Sequence, residues 1–297
     1  MINIRTIKDK AAGVSMLLLT FVIILLVIFM GVGLYIKSMP VLETHNLSDL
    51  LFNGTWKPLR GEFGFLPFIM GTVWVTTLGI VLAVPVALLT AIYLTEYAHS
   101  KVRKYVFPAL DILSGMPSVI YGIWGTLLIV PWIANSVAPR YVEFSSGYTV
   151  LAGGIVLGVM ILPLLVSLFI EIFSSVPSEL RDASVSLGAT KWQTTKSVVV
   201  RKTLAGIVAA IVLAVSRALG ETIAVLMVCG NLAKSPTSLF DSGYPIPALI
   251  ANNYGEMLSL PLYESALMFA ALVLFVVVLM FNLASRMILY RIEKTFS

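Results

Sequence analysis

Long apolar runs recur along this chain, and they restrict its fold more than any other feature. A transmembrane helix needs about 20 consecutive, mostly apolar residues. Such runs predict an all-α integral membrane protein with six transmembrane helices, at residues 13–36, 68–94, 106–134, 149–173, 204–228 and 263–282.

The composition supports lipid as the surroundings of this fold. Of the 297 residues, 59% are apolar and 12% are charged, whereas soluble domains are about half apolar and about one quarter charged. One aqueous core could not bury that much apolar surface. The first run is also longer than the apolar core of about 7–15 residues in a signal peptide, so we expect it to be retained as a membrane helix.

The lysines and arginines alternate between the two sides of the membrane. Three lie in the amino-terminal arm, three follow the second run, five follow the fourth run and three lie in the tail, whereas the other loops hold three, one and one. Because cytoplasmic loops carry the excess of basic residues, both termini and the loop at residues 174–203 are predicted to be cytoplasmic. The basic residues are spread over short loops, so nucleic acid is not an expected partner.

The loop at residues 174–203 begins with signals for a short helix. Ser178 is a suitable N-cap, and Glu179 follows in the first turn, where an acidic side chain favours the helix. Gly188 is a natural stop, because the residue after a helix commonly adopts a left-handed conformation. The sequence therefore predicts a short helix that ends in a glycine turn.

A second helix signal follows, and the first helix has one weakly apolar face. Leu180, Ala183 and Leu187 recur at positions i, i+3 and i+7. Thr190 and Gln193 match the T-x-x-Q capping box, which predicts a rigid helix that continues into the fifth span. A short exposed helix suits either a position on the lipid surface or docking onto a soluble partner, and the residues alone leave both open.

The fifth span carries two charged residues at membrane depth. Arg217 and Glu221 are spaced i, i+4, which predicts that they share one helix face. Each would cost about 2.5–3.5 kcal/mol at the centre of a membrane, so each needs compensation. They either lock this span to another helix as an ion pair, or line a substrate path in which a guanidinium suits a tetrahedral oxyanion. Gly220 between them is expected to let another backbone approach closely.

Residues 179–193, ELRDASVSLGATKWQ, resemble the cytoplasmic E-A-A-x-x-x-G loop of bacterial ABC importer permeases. In that family the loop forms a coupling helix that sits in a groove of the ATPase subunit. The resemblance implies coupling to an ATPase through residues 178–188, with Glu179, Arg181, Asp182, Ala183 and Gly188 as the coupling residues. Residues 198–201 lack the proline that the family often has there, so the bend into the fifth span is left open.

Three further segments narrow the resemblance to the PstC-type permeases of phosphate ABC importers. They are RALGETIAVLMVCGN at 217–231, LSGMPSVIYGIWG at 113–125 and LFDSGYPIPALIANNYGE at 239–256. The resemblance implies a type I (MetI-like) importer core of five helices with an extra N-terminal helix, in the inner membrane of a prokaryote. In that family the arginine and glutamate of this span are implicated in passing phosphate, and they correspond to Arg217 and Glu221.

The same resemblance implies a domain division and a set of partners. Residues 1–66 would form the cytoplasmic arm, first helix and external loop, residues 67–285 the permease domain, and residues 286–297 a basic cytoplasmic tail. The partners would be a PstA-type second permease, two copies of a PstB-type ATPase and an external PstS-type phosphate-binding protein.

Other functions are weighed against this one. The chain has no G-x-x-x-x-G-K-[ST] motif, so ATP hydrolysis is assigned to another polypeptide, and neither enzyme activity nor a cofactor is expected. One cysteine and two histidines in loops argue against a metal site and an intramembrane protease. Two transport alternatives stay open: a permease for another oxyanion, such as sulfate or molybdate, and a passive anion channel.

Overall fold

The computed structural model describes residues 4–255 and 260–296, most of which are helical. Two short strands, β1 (Trp56–Lys57) and β2 (Glu62–Phe63), form an antiparallel hairpin. The helices within the described ranges are α1 (Ile4–Thr44), α2 (Leu47–Phe52), α3 (Leu66–Tyr97), α4 (Ser100–Gly115), α5 (Ser118–Arg140), α6 (Val150–Ser174), α7 (Ser178–Ser186), α8 (Lys191–Lys202), α9 (Leu204–Leu219), α10 (Ile223–Val228), α11 (Ile246–Asn253) and α12 (Pro261–Phe296).

Five of the described helices are long and apolar enough to cross a membrane by themselves, namely α1, α3, α5, α6 and α12. A sixth crossing comes from α8 and α9, which meet the same test as a pair and bend by 66° at their junction. The predicted all-α membrane architecture is therefore confirmed. The predicted rigid helix from Thr190 into the fifth span is interrupted, because the chain bends at Thr203; the sequence had left the size of this bend open.

The third span lies further along the chain than predicted. It occupies Ser118–Arg140 instead of residues 106–134, because the backbone is extended at Met116 (ψ 134°) and Pro117 (ψ 142°). A proline disfavours the α conformation in the residue before it, and here Met116 does leave the helical conformation, so the helix ends at this point. The preceding residues form the separate helix α4, in which only Leu110 is buried.

Glycines bring α3 and α6 into close contact at the centre of the bundle. A Cβ added at Gly154 would lie 2.8 Å from the Cβ of Leu78, and one at Gly158 would lie 3.1 Å from the carbonyl oxygen of Gly79. Small residues allow two membrane helices to approach this closely. Gly154 and Gly158 therefore serve helix packing, and the larger buried apolar cluster surrounds this contact.

The N-terminal helix α1 packs along α12. The backbone N–H of Val41 donates to the Ser265 hydroxyl at 3.0 Å, and the Lys37 Nζ lies 3.1 Å from Glu264 Oε1. Val41 belongs to a second buried cluster that also includes residues of α3, α11 and α12. This helix is thus attached to the side of the bundle that α12 forms.

The β hairpin closes the same end of the molecule with aromatic packing. The ring of Trp56 meets the rings of Phe63, Phe65 and Phe68 edge-on, with centroid distances between 4.8 and 5.6 Å. Edge-to-face pairs of this kind add stability beyond the apolar area that they bury. The hairpin is therefore fixed to the start of α3.

The chain between α10 and α11 caps the N-terminal end of α6. The carbonyl oxygens of Asp241 and Leu239 accept hydrogen bonds from the N–H groups of Val150 and Leu151, each at 2.9 Å. Since the first N–H groups of a helix have no partner within the helix, this loop supplies the hydrogen-bond acceptors for the N-terminus of α6.

The side chain of Asp241 holds that loop in shape. Its carboxylate accepts hydrogen bonds from the N–H groups of Thr237 and Ser238 at 2.8 and 2.9 Å. Burial by itself would raise the pKa of Asp241, but these hydrogen bonds, with the charge of Lys234, bring it below its ordinary value. The stabilisation is therefore present above the ordinary pKa of an aspartate and is lost as the pH falls through the lowered value.

The contact between α3 and α6 predicts a sharp difference between two glycine substitutions. Gly154→Ala should lower the stability of the purified chain by about 1–3 kcal/mol, because its methyl group would overlap Leu78. Gly33→Ala, in α1, is the matched control, since a Cβ there meets nothing within 4 Å. Thermal unfolding in detergent measures both, and a Gly154→Ala variant that melts at or above the wild-type temperature would contradict the packing role.

Candidate coupling helix and anion pathway

The helix α7 lies at the surface of the molecule, as a docking element would. It has nine residues, and none of them is buried. Glu179 lies in its first turn as predicted, but the N-cap position belongs to Pro177, whose backbone is extended (ψ 139°). The prediction that Ser178 is the N-cap is therefore wrong, since Ser178 is already the first helical residue.

The turn after α7 is the one that the sequence predicts. Gly188 has a φ of +86°, and its N–H donates to the Val185 carbonyl at 2.9 Å. This left-handed conformation costs little for glycine. Thr190 and Gln193 then form both hydrogen bonds of the predicted capping box, at 2.8 and 3.3 Å. The direction of α8 relative to α7 is thus fixed by local sequence.

The outer side of α7 mixes apolar and acidic groups. Leu187 is 90% exposed, and Leu180 and Val185 are also exposed. Asp182 and Ala183, both predicted to contact an ATPase, are exposed as well. Exposed apolar side chains bordered by charges are typical of a protein interaction surface.

The side chain of Arg181 points into the bundle instead. Its Nε and Nη2 donate to Glu96 Oε1 at 3.3 and 3.0 Å, while Nη2 and Nη1 donate to the carbonyl oxygens of Phe173 and Val176 at 2.8 and 2.5 Å. Only 23% of the Arg181 side chain and 9% of the Glu96 side chain are exposed. This guanidinium therefore joins α7 to the C-terminal ends of α3 and α6.

The bend between α8 and α9 needs no proline. Thr203 sits at the junction with φ −99° and ψ 8°, and its hydroxyl donates to the Val199 carbonyl at 2.8 Å. A threonine hydroxyl that bonds back to the preceding turn is a known cause of helix bending. The turn at residues 195–199 is also π-helical, which loosens the regular helix just before the bend.

A second break separates the two charged residues of the fifth span. The helix α9 ends at Leu219, Gly220 is its C-cap, and α10 starts only at Ile223. The prediction that Arg217 and Glu221 share one helix face is therefore wrong. Nor does another backbone approach Gly220, because the nearest atoms to an added Cβ there are carbonyl oxygens of its own helix, at 3.7 and 4.0 Å.

The two charged side chains have different surroundings. Arg217 is exposed, and within the part of the chain that the structure describes it makes no ion pair. Glu221 is half-buried, and its Oε1 accepts a hydrogen bond from the N–H of Ala224 at 3.2 Å. Glu221 thus stabilises the start of α10, whereas the guanidinium of Arg217 faces away from the packed core.

Polar residues that the sequence analysis did not single out lie near this pair. Glu221 lines a narrow crevice together with Thr72 and Thr76 of α3. Tyr121 of α5 donates a hydrogen bond to the Leu113 carbonyl at 2.7 Å. For Tyr121 a signal existed, because it belongs to one of the segments that carry the family resemblance.

Comparisons with known proteins agree with this arrangement. Residues 83–294 match the family described as "Binding-protein-dependent transport system inner membrane component". The chain is 36% identical to the "Phosphate transport system permease protein PstC" of Mesorhizobium japonicum, over 91% of this chain and 87% of that one. It is 34% identical to the "Probable phosphate transport system permease protein PstC" of Methanocaldococcus jannaschii, over 88% and 87%.

A solved structure shares the fold. The inward-facing MetNI methionine ABC transporter superposes with a TM-score of 0.55 at 18% identity, over 80% of this chain and 99% of that chain. This likeness supports the type I, MetI-like arrangement of the helices. The chain belongs to the family of binding-protein-dependent transport system inner membrane components.

Proposed function

We propose that this chain is a permease subunit of an ATP-driven importer of inorganic phosphate. The observation that carries the proposal is the exposed Arg217, in the last turn of α9, just before the break in the fifth membrane span. This span directly follows the α7–α8 loop, the segment 178–202 that contains both helices. The names of the two relatives support phosphate as the substrate. The permease domain would occupy residues 67–285, with residues 1–66 and 286–297 outside it.

The chemistry of Arg217 suits an oxyanion. A guanidinium offers paired N–H donors that match two oxygens of a phosphate at once, and it stays charged at any physiological pH. An exposed arginine at membrane depth is costly unless it faces protein or water. We infer that a phosphate path, formed with a second permease, covers this side chain, and that Glu221 limits anion entry from the adjacent crevice.

The partners follow from the surfaces of the chain. The exposed Leu180, Val185 and Leu187 would enter a groove of a PstB-type ATPase, with Glu179 and Asp182 at its rim. A PstA-type permease would supply the other half of the pathway, and a PstS-type protein would deliver phosphate from outside. ATP hydrolysis belongs to the ATPase, so this subunit itself is not an enzyme.

Transport of phosphate depends on Arg217 in this proposal. Arg217→Gln should lower ATP-dependent phosphate uptake by the reconstituted complex by about 10- to 100-fold, which corresponds to the roughly 1.5–3 kcal/mol of a hydrogen bond to a charged group. Arg140→Gln, at the exposed C-terminal end of α5, is the control. Wild-type uptake by Arg217→Gln would contradict the pathway. Inhibition of wild-type phosphate uptake by excess sulfate would indicate a transporter for another oxyanion. Phosphate uptake without ATP would indicate a passive channel.

The two roles of Glu221 can be separated by paired substitutions. Glu221→Gln keeps an oxygen that can accept from the Ala224 N–H, so folding should be preserved while uptake changes. Glu221→Ala removes the acceptor and should also lower the free energy of unfolding by about 0.5–2 kcal/mol, as the loss of a helix cap does. Thermal unfolding and uptake are measured on both variants. Equal uptake by Glu221→Gln and wild type would limit Glu221 to its structural role.

The orientation is part of the proposal: both termini and the α7–α8 loop lie in the cytoplasm of a prokaryote. Lys191 is exposed at the start of α8, so a Lys191→Cys variant should react with a membrane-impermeant maleimide only after the cells are opened. The buried native Cys229 provides a low background. Labelling of this variant in intact cells would show that residue 191 is outside the cell and would contradict the proposed orientation.

A further inference from the structure

The C-terminal end of α3 is contacted by residues of both α7 and α8. Besides the bonds between Arg181 and Glu96, the Nζ of Lys191 lies 4.9 Å from the centre of the Tyr97 ring, a distance suited to a cation–π contact. Glu96 and Tyr97 are adjacent residues in the last, π-helical turn of α3. Two separate elements, α7 and α8, thus contact the same turn of one membrane helix.

The guanidinium of Arg181 is used almost completely in this arrangement. Four donor contacts reach one carboxylate and two carbonyl oxygens, and the carbonyl groups of Phe173 and Val176 lie at the C-terminal end of α6. A helix C-terminus carries partial negative charge, so a cation is favoured there. The fork geometry matters, because a lysine ammonium at the same place could not reach three acceptors on two helices at these distances.

The acidic side chain of Glu96 is placed where it would otherwise be unfavourable. It lies at the C-terminal end of its own helix, where the helix dipole opposes a negative charge. Its side chain is 9% exposed, so it depends on Arg181 for compensation. The ion pair with Arg181 offsets this cost, and it links the end of α3 directly to α7.

We propose that Glu96 is a positioning residue for energy coupling: through Arg181 it ties α7 rigidly to α3 and α6, so that a push on α7 moves both membrane helices together. This inference rests on the proposed function, since it takes α7 as the site where the ATPase acts. Without this link, α7 could move while α3 and α6 stay in place.

The test uses Glu96→Gln in the complete reconstituted transporter, with phosphate uptake and ATP hydrolysis measured on the same vesicles. ATP hydrolysis should continue, while phosphate imported per ATP should fall by about 5- to 150-fold, the usual range of coupling between two sites. Glu264→Gln is the matched control, because it breaks the exposed ion pair with Lys37 at the other end of the molecule. Arg181→Lys, which keeps the charge but loses the fork, should reproduce the loss.

Two further measurements make the outcome decisive. The variant with both Glu96→Gln and Arg181→Lys should be no worse than the stronger single variant, because both remove the same link; additive losses would overturn the proposal. Hydrogen exchange of the α7 amides in the purified chain should be faster in Glu96→Gln than in wild type. Unchanged exchange, or unchanged phosphate per ATP, would also overturn it. Absence of phosphate uptake by the wild type would contradict the proposed substrate instead. The exchange rates of the α7 amides would then test whether Glu96 holds α7 in place.

Discussion

The close contact between α3 and α6 is the interaction on which the rest of the structure depends. Gly79, Gly154 and Gly158 remove the side chains that would keep these helices apart. In lipid, packing of this kind replaces the hydrophobic drive that would hold helices together in water. Because α3 and α6 are held side by side, their C-terminal ends come within reach of one arginine, and α7 acquires a fixed base.

The fifth membrane crossing, in contrast to α3 and α6, is interrupted at two points. The chain bends at Thr203 and breaks again around Gly220. Irregular backbone at membrane depth is tolerated only where protein or water satisfies its polar groups. At the first interruption the Thr203 hydroxyl bonds to the preceding turn, and at the second Glu221 accepts from the next helix. Arg217 lies beside the second interruption, where a helix end and an open surface meet.

Much of the fold could be predicted from sequence because its signals are local. Apolar runs of sufficient length give the spans, and the glycine turn and capping box around Gly188 and Thr190 involve residues only a few positions apart. The errors also have local causes. The backbone at Met116 and Pro117 divides the third run, and Thr203 bends a helix that contains no proline. The apolar run resumes beyond Pro117, and no proline marks the bend at Thr203, so run length and apolar content alone do not locate either point.

The candidate site was predictable in its members but not in its arrangement. Arg217 and Glu221 stand out because charges are rare in membrane spans, but their side chains diverge because α9 ends between them. Glu96 gave no comparable signal, since an acidic residue at the end of a span looks solvated until Arg181, 85 positions further along, is seen to contact it.

The sequence by itself determined the membrane class, the family resemblance, the short α7 helix and the charged pair, because each of these depends on composition or on neighbours along the chain. Only the tertiary structure decided where the third span lies, that Arg217 and Glu221 face different surroundings, and that Arg181 turns inward to Glu96. These features depend on helix packing and on the ends of helices, where residues far apart in sequence satisfy one another's charges and backbone hydrogen bonds.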